Sequence, residues 1–399
     1  MKILIVCQFF YPEGFSINDV AKRLVELGHD VLVVTGQPNY GYKKIMDGYE
    51  HVTDEVLFGA RVHRCKLKPR KESRLSIITN YLSFWHFSKK YLRNLKEEFD
   101  VVYSMSLSPL ISIVGATIYA KKHHVRHVLH CLDLWPESTV VTGAVKEGSL
   151  VYRILYRWCK KIYSNIDEIL ISSPSFERYF RDVLRIDHVP LTYVPQPPQI
   201  AEPSEEVHYT HQVNFVYAGN IGRLQLVEEL VKAIDLIKDR LDVCLHLIGM
   251  GGRSDAVMEL VKERQLGEFV KFYGVKSRGA TAAYYQNATA ILVPLTHQGT
   301  VGETIPSKLN SALYYGRPIL GVIGGDGAKL IDEAKCGVLS EGEDPASIAR
   351  AMMTLGEMDE KTRKILGRNA REFFDQKYRL EEVIDEILKH LNSSKISAN

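Results

Sequence analysis

The length and composition are those of a globular protein made of two domains. With 399 residues, the chain is too long for one ordinary hydrophobic core. Hydrophobic residues make up 45% of it and charged residues 25%, and no apolar run approaches the roughly 18 residues that a membrane-spanning helix needs. The six cysteines are far apart and form no Cys-x-x-Cys pair, which argues against a disulfide framework or a zinc site.

The net charge of +3 is unevenly distributed along the chain. Residues 1–200 contain 27 Lys and Arg against 20 Asp and Glu, whereas the remainder contains 24 against 28. The first half is therefore expected to lie near an anionic partner. The N-terminal residues MKILIVC lack the features of a signal peptide and predict a buried first strand, so we expect a cytoplasmic protein.

The first half alternates short apolar runs with amphipathic segments, which predicts a parallel, doubly wound α/β sheet. The predicted strands are Lys2–Cys7, Asp30–Thr35, Val101–Met105, Val125–Cys131 and Glu168–Ser172. The predicted helices are Ile17–Leu27, Pro109–Lys122 and Leu150–Ser164.

A proline-dense segment, VPQPPQIAEP, follows at 194–203 and predicts a linker between domains. The α/β alternation then restarts, with strands at Val213–Ala218, Val243–Ile248, Val270–Tyr273, Ala290–Pro294 and Pro318–Val322 and helices at Val227–Lys238, Ser254–Arg264 and Ser307–Tyr315. We therefore divide the chain into a first domain at 1–195, a linker at 196–206 and a second domain at 207–375. The segment 376–399 is expected to form a helix that packs back on the first domain, followed by a polar tail.

Two glycine-containing loops follow strands of the second domain, where open α/β sheets bind ligands. The loop AGNIGR at 218–223 would bring backbone amides close to a phosphate, and Arg223 could contact a diphosphate. A simple glycine turn with a solvated arginine is the alternative. The loop GMGGR at 249–253 is the same kind of candidate, with a tight turn and no ligand as its alternative.

A third loop, GTVGETIPSK at 299–308, precedes a predicted helix. Ser307 fits the N-cap or first turn of that helix, so the amides of Ser307, Lys308 and Leu309 would point toward an anion and Lys308 would add charge. Glu303 would be repelled by a phosphate but could bind sugar hydroxyls; a solvated loop glutamate is the alternative.

The third loop carries a resemblance to a known family. The segment 303–319 resembles the signature of the retaining glycosyltransferases of family 4: Glu303 is followed by seven residues, then Ser311 and the run ALYYGRPI at 312–319. The loops at 219–223 and 248–251 and the runs VKFYGV at 270–275 and ATAILVP at 288–294 occur in the family's order. The resemblance implies the GT-B fold, two Rossmann-like domains facing a central cleft. The runs DLWPES at 133–138 and TIPSK at 304–308 resemble a subgroup that builds bacterial capsule, O-antigen and exopolysaccharide.

The resemblance implies a donor site in the second domain. Glu303 would contact the donor sugar, and the nucleobase would lie at Val275 and Lys276. The further donor-binding residues implied are Gly222, Arg223, Gly249, Ile305, Pro306, Ser307, Lys308, Leu309, Asn310 and Ser311. Two positions depart from the family's pattern: Ser311 replaces the glutamate that holds the ribose, and Gln225 stands near the expected lysine, a loss for which Lys308 could compensate.

The segment His130–Glu137 ends a predicted strand of the first domain with three titratable side chains, which are candidates for acceptor binding and proton handling. Asp133 lies nearest the family's acceptor-side catalytic position, followed by Glu137 and His130. The alternatives are that Asp133 caps a helix beginning near Pro136 and that His130 is a core residue whose ring is fully hydrogen-bonded.

A retaining transferase implies that the donor phosphate accepts the proton of the acceptor while protein carboxylates orient the substrates. No Asp-x-Asp pair suited to magnesium lies in a plausible loop, so cations and helix N-termini should neutralise the leaving diphosphate. We expect no metal and no cofactor, with a nucleotide sugar, UDP-linked, as donor substrate.

The segment Arg61–Lys96 contains eleven Lys and Arg and one acidic residue, Glu72, interleaved with aromatic residues. This pattern suits the anionic inner face of a cell membrane and a lipid-linked saccharide acceptor. A solvated helix face is the alternative, and no motif supports nucleic acid.

The sequence therefore predicts transfer of a hexose or an N-acetylhexosamine. Two other functions stay open: a sugar-nucleotide epimerase of the same fold, and an inactive nucleotide-sugar-binding subunit, which Ser311 and Gln225 would suit. A dehydrogenase is disfavoured because no strand precedes a full Gly-x-Gly-x-x-Gly motif.

Overall fold

The computed structural model describes residues 1–41, 43–71, 73–107 and 109–392. They form two compact units, one containing Met1–Pro197 and the chain from Leu380 onward, the other containing Pro198–Arg379. The polar tail that the sequence predicts lies almost wholly outside the described residues.

The first unit is an α/β domain built on one sheet. Its strands are β1 Lys2–Val6, β2 Asp30–Gly36, β3 Asp54–Leu57, β4 Ala60–Cys65, β5 Val101–Ser106, β6 Arg126–Cys131, β7 Glu168–Ile171 and β8 Leu191–Tyr193. Its helices up to this point are α1 Ile17–Glu26, α2 Arg74–Asn94, α3 Val114–His123, α4 Glu137–Val141, α5 Leu150–Tyr163 and α6 Phe176–Arg178.

The first sheet has the strand order β3-β4-β2-β1-β5-β6-β7-β8, and β1 lies near its middle. All neighbouring strands are parallel except β3 and β4, which pair antiparallel at one edge. β1 is an unbroken apolar run because helices cover both faces of the sheet. On one face, α2 packs against α3 and the short 3₁₀ turn at Leu110–Ile113, and that turn shares a hydrophobic cluster with α5.

The C-terminal helix covers part of the other face. Its apolar side chains pack in one cluster with α1, and its polar end is fixed by the buried Arg126, which hydrogen-bonds to Glu168 and to the carbonyl of His390. The Nδ1 atom of His390 also lies 2.6 Å from Glu168. The chain thus returns to its first unit after completing the second.

The second unit repeats the α/β pattern. Its strands are β9 Val213–Ala218, β10 Val243–Ile248, β11 Val270–Phe272, β12 Ala290–Pro294, β13 Ile319–Val322 and β14 Gly337–Leu339. Its helices are α7 Val227–Ile237, α8 Ser254–Glu263, α9 Arg278–Gln286, α10 Ser307–Tyr314, α11 Gly325–Ala334, α12 Pro345–Glu357 and α13 Glu360–Lys377; the returning helix described above is α14 Leu380–Asn392.

The second sheet is wholly parallel, in the order β11-β10-β9-β12-β13-β14. Because its strands all run in the same direction, the loops that follow β9, β10, β11 and β12 all lie at the carboxyl edge of the sheet. The stretch 198–206, which we predicted as part of a linker, hydrogen-bonds within the second unit: Ser204 N donates to Gly279 O at 3.2 Å, and Glu202 accepts from Tyr314 at 2.5 Å.

The predicted doubly wound architecture is confirmed in both halves, with strand ends shifted by a residue or two. Several elements differ. The predicted helix Pro109–Lys122 is a 3₁₀ turn followed by α3, and the strands β3, β4, β8 and β14 were not predicted. β3 is an edge strand with alternating exposure and four residues, DEVL, two of them acidic, so its pattern is weak. Among the described residues, no helix is long and apolar enough to span a membrane.

Candidate functional site

Four loops meet at the carboxyl edge of the second sheet through direct backbone hydrogen bonds. Gly219 N donates to Ile248 O at 2.9 Å, and Ile221 N donates to Met250 O at 3.2 Å. Gly249 N donates to Gly274 O at 2.7 Å, and Thr296 N donates to Leu224 O at 2.8 Å. The predicted glycine loops, the loop after β11 and the start of the third loop therefore form one continuous surface.

The glycine at position 249 is required by this packing. It has φ +123°, and a Cβ atom there would lie 1.9 Å from the carbonyl oxygen of Gly219. Any side chain would separate the first two loops. The glycine at 249 is therefore needed for the second loop to pack against the backbone of the first loop.

Lys308 brings the third loop to the first. Its Nζ atom lies 3.1 Å from the hydroxyl of Tyr217 and 4.5 Å from the centre of that ring. The same Nζ atom would be 3.1 Å from a Cβ atom on Gly219, so the ammonium lies directly against the first glycine loop. The Tyr217 hydroxyl donates its proton to the carbonyl of Asn220 at 2.5 Å and so accepts from the lysine.

The Lys308 side chain is partly buried, and its ammonium forms no ion pair with a carboxylate of the described residues. Burial lowers its pKa from the usual 10.5 to about 7, with no opposing electrostatic contribution. A cation held this way gains from an anion that enters the loop surface. The lowered pKa therefore marks Lys308 as a candidate contact for an anionic ligand.

The beginning of α10 offers fewer amides than the sequence predicted. Pro306 precedes the helix, and no side chain caps it. The amide of Leu309 donates to Pro306 O at 2.9 Å, so the prediction that it points toward an anion is wrong, and its side chain is fully buried. No acceptor within the described residues takes the amides of Ser307 and Lys308. Ile305 is buried at the entrance to the helix.

Glu303 ends a 3₁₀ turn, Gly299–Glu303, whose backbone packs against the start of α11. A Cβ atom on Gly325 would lie 2.5 Å from the Cα of Glu303. The loop's origin is held by Glu343, which accepts from the backbone N of His297 and from Thr296 Oγ1 at 3.1 Å. Glu343 was missed in the sequence, although it lies just beyond β14 at the same sheet edge and the rule used for the other loops would have found it.

Ser311 is already engaged within its own unit. Its hydroxyl accepts from Gln199 N at 3.0 Å and donates to Ser307 O at 3.2 Å. Asn310, beside it on α10, is buried with 1% of its surface exposed. The hydroxyl at the position where the family has a ribose-binding carboxylate therefore holds the chain entering the second unit.

The remaining donor-side candidates surround the loop surface. Arg223 follows Gly222 and is exposed, with no hydrogen bond or ion pair within the described part of the chain. Gln225 accepts from Asn220 at 3.2 Å and so belongs to the loop's own structure. Val275 is 77% exposed, and Lys276 lies over the rings of Tyr273 and Tyr284.

In the first unit, two of the three predicted acceptor-side residues are structural. His130 is fully buried: Nε2 donates to Val194 O at 3.0 Å, Nδ1 accepts from the Tyr103 hydroxyl at 3.0 Å, and burial lowers its pKa to about 4. Our assignment of His130 to catalysis is therefore corrected to that of a core residue, because both ring nitrogens are used.

Glu137 fastens three elements together. Its Oε1 atom accepts from Tyr152 at 2.7 Å and from Tyr179 at 3.0 Å, linking α4, α5 and the segment after α6. This carboxylate therefore supports the packing of these elements through Oε1, and its role on the acceptor side stays a prediction. Asp133 does not cap α4, whose N-cap is Pro136 without a side-chain hydrogen bond. It lies close enough to affect Tyr81, whose pKa is raised chiefly by burial.

Comparisons with known proteins agree with this architecture. Residues 14–197 match the family described as "Glycosyl transferase 4-like domain", and residues 199–373 match "Glycosyl transferases group 1". The chain is a GT-B glycosyltransferase of family 4. The boundary between the two matches falls beside the boundary between the two structural units.

Curated relatives of this glycosyltransferase are distant. It is 26% identical over 272 residues to WbjE of Pseudomonas aeruginosa, named as a glycosyltransferase, covering 65% of this chain and 67% of that one. It is 24% identical over 342 residues to WcaI of Escherichia coli (strain K12), named as a glycosyl transferase of colanic acid biosynthesis, covering 79% and 82%. HepE of Anabaena, solved with UDP-glucose, has the same fold, with a TM-score of 0.72 at 14% identity over 99% of this chain and 100% of that one.

We expect Gly249→Ala to destabilise the glycosyltransferase by roughly 1–3 kcal/mol, because a side chain there is strained and strikes the carbonyl of Gly219. Thermal unfolding measures the change. Gly252→Ala is the matched control, since nothing lies within 4 Å of its added Cβ atom. Equal melting temperatures for the two variants would contradict the packing argument.

We expect Lys308→Met to raise the stability of the ligand-free protein in a pH-dependent way. Between the folded pKa of about 7 and the unfolded value near 10.5, the unfolded chain binds more protons than the folded chain. The loss of folding stability that Lys308 causes is therefore complete below about pH 7 and absent above about pH 10.5. Melting temperatures measured from pH 7 to 10 should show a gain that shrinks as pH rises. The exposed Lys361→Met variant should show no such trend.

Proposed function

We propose that this glycosyltransferase moves a hexose or an N-acetylhexosamine from a UDP-linked donor to a lipid-linked glycan acceptor, with retention of anomeric configuration, in bacterial surface polysaccharide biosynthesis. The observation that carries the donor half of the proposal is the desolvated Lys308 ammonium against the Gly219 loop at the start of α10. HepE, solved with UDP-glucose on the same fold, supports the nucleotide, and WcaI, by its name, supports the biosynthetic role.

In the proposed donor complex, the diphosphate would contact Lys308, Arg223 and the amides of Ser307 and Lys308. These groups would neutralise charge on the leaving diphosphate without reorganising during the reaction. The nucleobase would lie against the backbone at Val275 and Lys276. Because Ser311 is engaged by Gln199, ribose recognition would depend more on neighbouring backbone than on a carboxylate.

Glu303 would hold hydroxyls of the donor sugar, since its backbone is fixed against Gly325 and its carboxylate would be repelled from the phosphates. On the acceptor side, Asp133 is the residue that we propose to orient the attacking hydroxyl. The proton of that hydroxyl would pass to the departing phosphate oxygen, so that no protein carboxylate attacks the sugar.

A donor screen tests the proposal. UDP-, GDP- and dTDP-sugars are added to the protein and thermal shifts are measured, because a ligand at 100 times its Kd stabilises by about 2.7 kcal/mol. Stabilisation by UDP-sugars, together with transfer of radiolabelled sugar to a lipid-linked acceptor, is the expected result. Binding with no transfer across a broad acceptor panel would instead identify an inactive subunit, and release of free epimerised sugar would identify an epimerase.

We expect Glu303→Gln to lower kcat roughly 100-fold while leaving the affinity for UDP unchanged, since the lost contact is to the sugar and not to the nucleotide. Calorimetry with UDP and steady-state kinetics with the UDP-sugar separate the two effects. The exposed Glu268→Gln variant of the same unit serves as control. Loss of UDP affinity in Glu303→Gln would contradict this role.

We expect transfer to be unaffected by EDTA, because fixed cations and amides are proposed to neutralise the diphosphate. Among the described residues, no three His, Cys, Asp or Glu side chains are grouped as a metal site would require. Initial rates in excess EDTA, and after adding back Mg²⁺ or Mn²⁺, provide the measurement. Loss of activity that a divalent ion restores would refute metal independence.

The basic segment Arg61–Lys96 is proposed as a contact with an anionic membrane. The helix α2 within it exposes Leu75, Ile78 and Leu82, which are 70%, 53% and 44% accessible and recur at helical spacing. Apolar side chains next to lysines and arginines suit an interfacial position. This contact would bring the enzyme to its lipid-linked acceptor.

A further inference from the structure

The outer face of α5 exposes three large aliphatic side chains within its first five residues. Leu150, Val151 and Ile154 are 75%, 57% and 59% accessible. Single exposed aliphatic residues are common on proteins, but a group of three on one helical turn has a cost in water that a partner would remove.

The same face is basic. Residues 146–161 include five Lys and Arg against one acidic residue, Glu147. Apolar and basic side chains share one side of the helix, because they follow one another at intervals of three and four residues. These side chains are Leu150, Ile154, Arg157 and Lys161. Arg153, Arg157 and Lys161 form no ion pair within the described parts of the chain. The partner of this face should therefore be apolar and anionic.

The opposite face of α5 is already occupied. Cys159, Ile162 and Tyr163 are buried in the hydrophobic cluster that includes Leu110 and Ile113. The helix is thus held rigidly in the first unit and presents its apolar and basic face without needing to unfold or rotate.

The position of α5 relates this face to the acceptor side. α2, α3 and α5 form one helical layer, and each begins at the carboxyl edge of the first sheet because each follows a parallel strand. The exposed first turns of α2 and α5 therefore lie at the same edge of the layer. The Tyr152–Glu137 hydrogen bond of 2.7 Å ties the start of α5 to α4, which follows Asp133 directly.

We propose that the first turns of α5 dock on an anionic lipid bilayer, with Leu150, Val151 and Ile154 among the acyl chains and Arg153, Arg157 and Lys161 at the phosphates. This surface is a second contact beside α2, and its suggested purpose, presenting the Asp133 edge to a lipid-linked acceptor, rests on the proposed function. Such a helix lies in the interface plane, where apolar burial and lipid charge act together.

Co-sedimentation with vesicles tests the proposal on the full chain. Vesicles of equal parts phosphatidylglycerol and phosphatidylcholine should bind the wild type, and vesicles of phosphatidylcholine alone should bind it weakly. The double variant Leu150→Gln with Ile154→Gln should lower partitioning at least roughly tenfold. Arg157→Gln should lower it about fivefold, an effect that high salt removes.

Leu236→Gln is the matched control, because Leu236 is 54% exposed on α7 of the second unit and should not affect vesicle binding. The double variant Leu75→Gln with Ile78→Gln tests the α2 contact separately. Vesicle binding by the α5 double variant equal to that of the wild type would overturn the inference. So would light scattering that shows a wild-type dimer dispersed by the α5 substitutions, because the face would then bind a second copy of the chain.

Two further measurements separate this inference from the proposed function. UDP binding and transfer to a short-chain, water-soluble acceptor should be unchanged in the α5 double variant, while transfer to acceptor embedded in vesicles should fall with partitioning. If the wild type transfers no sugar to either acceptor, the proposed function fails, and vesicle binding still decides the role of α5. Equal loss of activity on both acceptors would indicate a structural defect and contradict a docking role.

Discussion

The loop surface at the carboxyl edge of the second sheet depends on one partly buried cation. Lys308 lies at the start of α10, contacts the phenol of Tyr217, and has its pKa lowered to about 7 by burial. A partly buried ammonium that forms no ion pair in the described part of the chain destabilises the ligand-free fold, and an anionic ligand would relieve that cost. Gln225 is committed to the loop's own hydrogen bonds, and Gly219 beside the lysine has a φ of +152°, a backbone conformation that favours glycine.

The rest of the donor-side surface is shaped by backbone meeting backbone. Gly249 lies against Gly219, and Gly325 lies against Glu303, at distances that admit no side chain. This packing holds the loops rigid without long side chains, so amides and a few charged groups keep their directions before a ligand arrives. Glu343, just beyond β14 at the same edge of the sheet, serves the same purpose by holding Thr296 and His297, which precede the Glu303 loop.

In the first unit, some polar residues near the strand ends hold neighbouring elements together by hydrogen bonds, and others are candidates for acceptor binding. His130 and Glu137 each satisfy two hydrogen bonds inside the unit, and these bonds join β6 to β5 and α4 to α5. Ser149 caps the start of α5, and the hydrogen bond from Tyr152 to Glu137 ties that first turn to α4. Asp133, between them in sequence, is the residue that we propose on the acceptor side.

The sequence by itself determined the architecture and the family, because apolar periodicity reports burial along each element and because the order of short motifs survives over most of the chain. It also predicted which loops meet at the carboxyl edge of the second sheet, since parallel strands all end at one edge. Tertiary structure alone decided which polar residues there are available. Four groups had positions that suited a site: the side chains of His130, Glu137 and Ser311 and the amide of Leu309. The three side chains are hydrogen-bonded to residues remote in sequence, and the Leu309 amide to the carbonyl of Pro306. Likewise, the Lys308 environment and the outer face of α5 exist only after folding, because desolvation and exposure depend on which surfaces pack together.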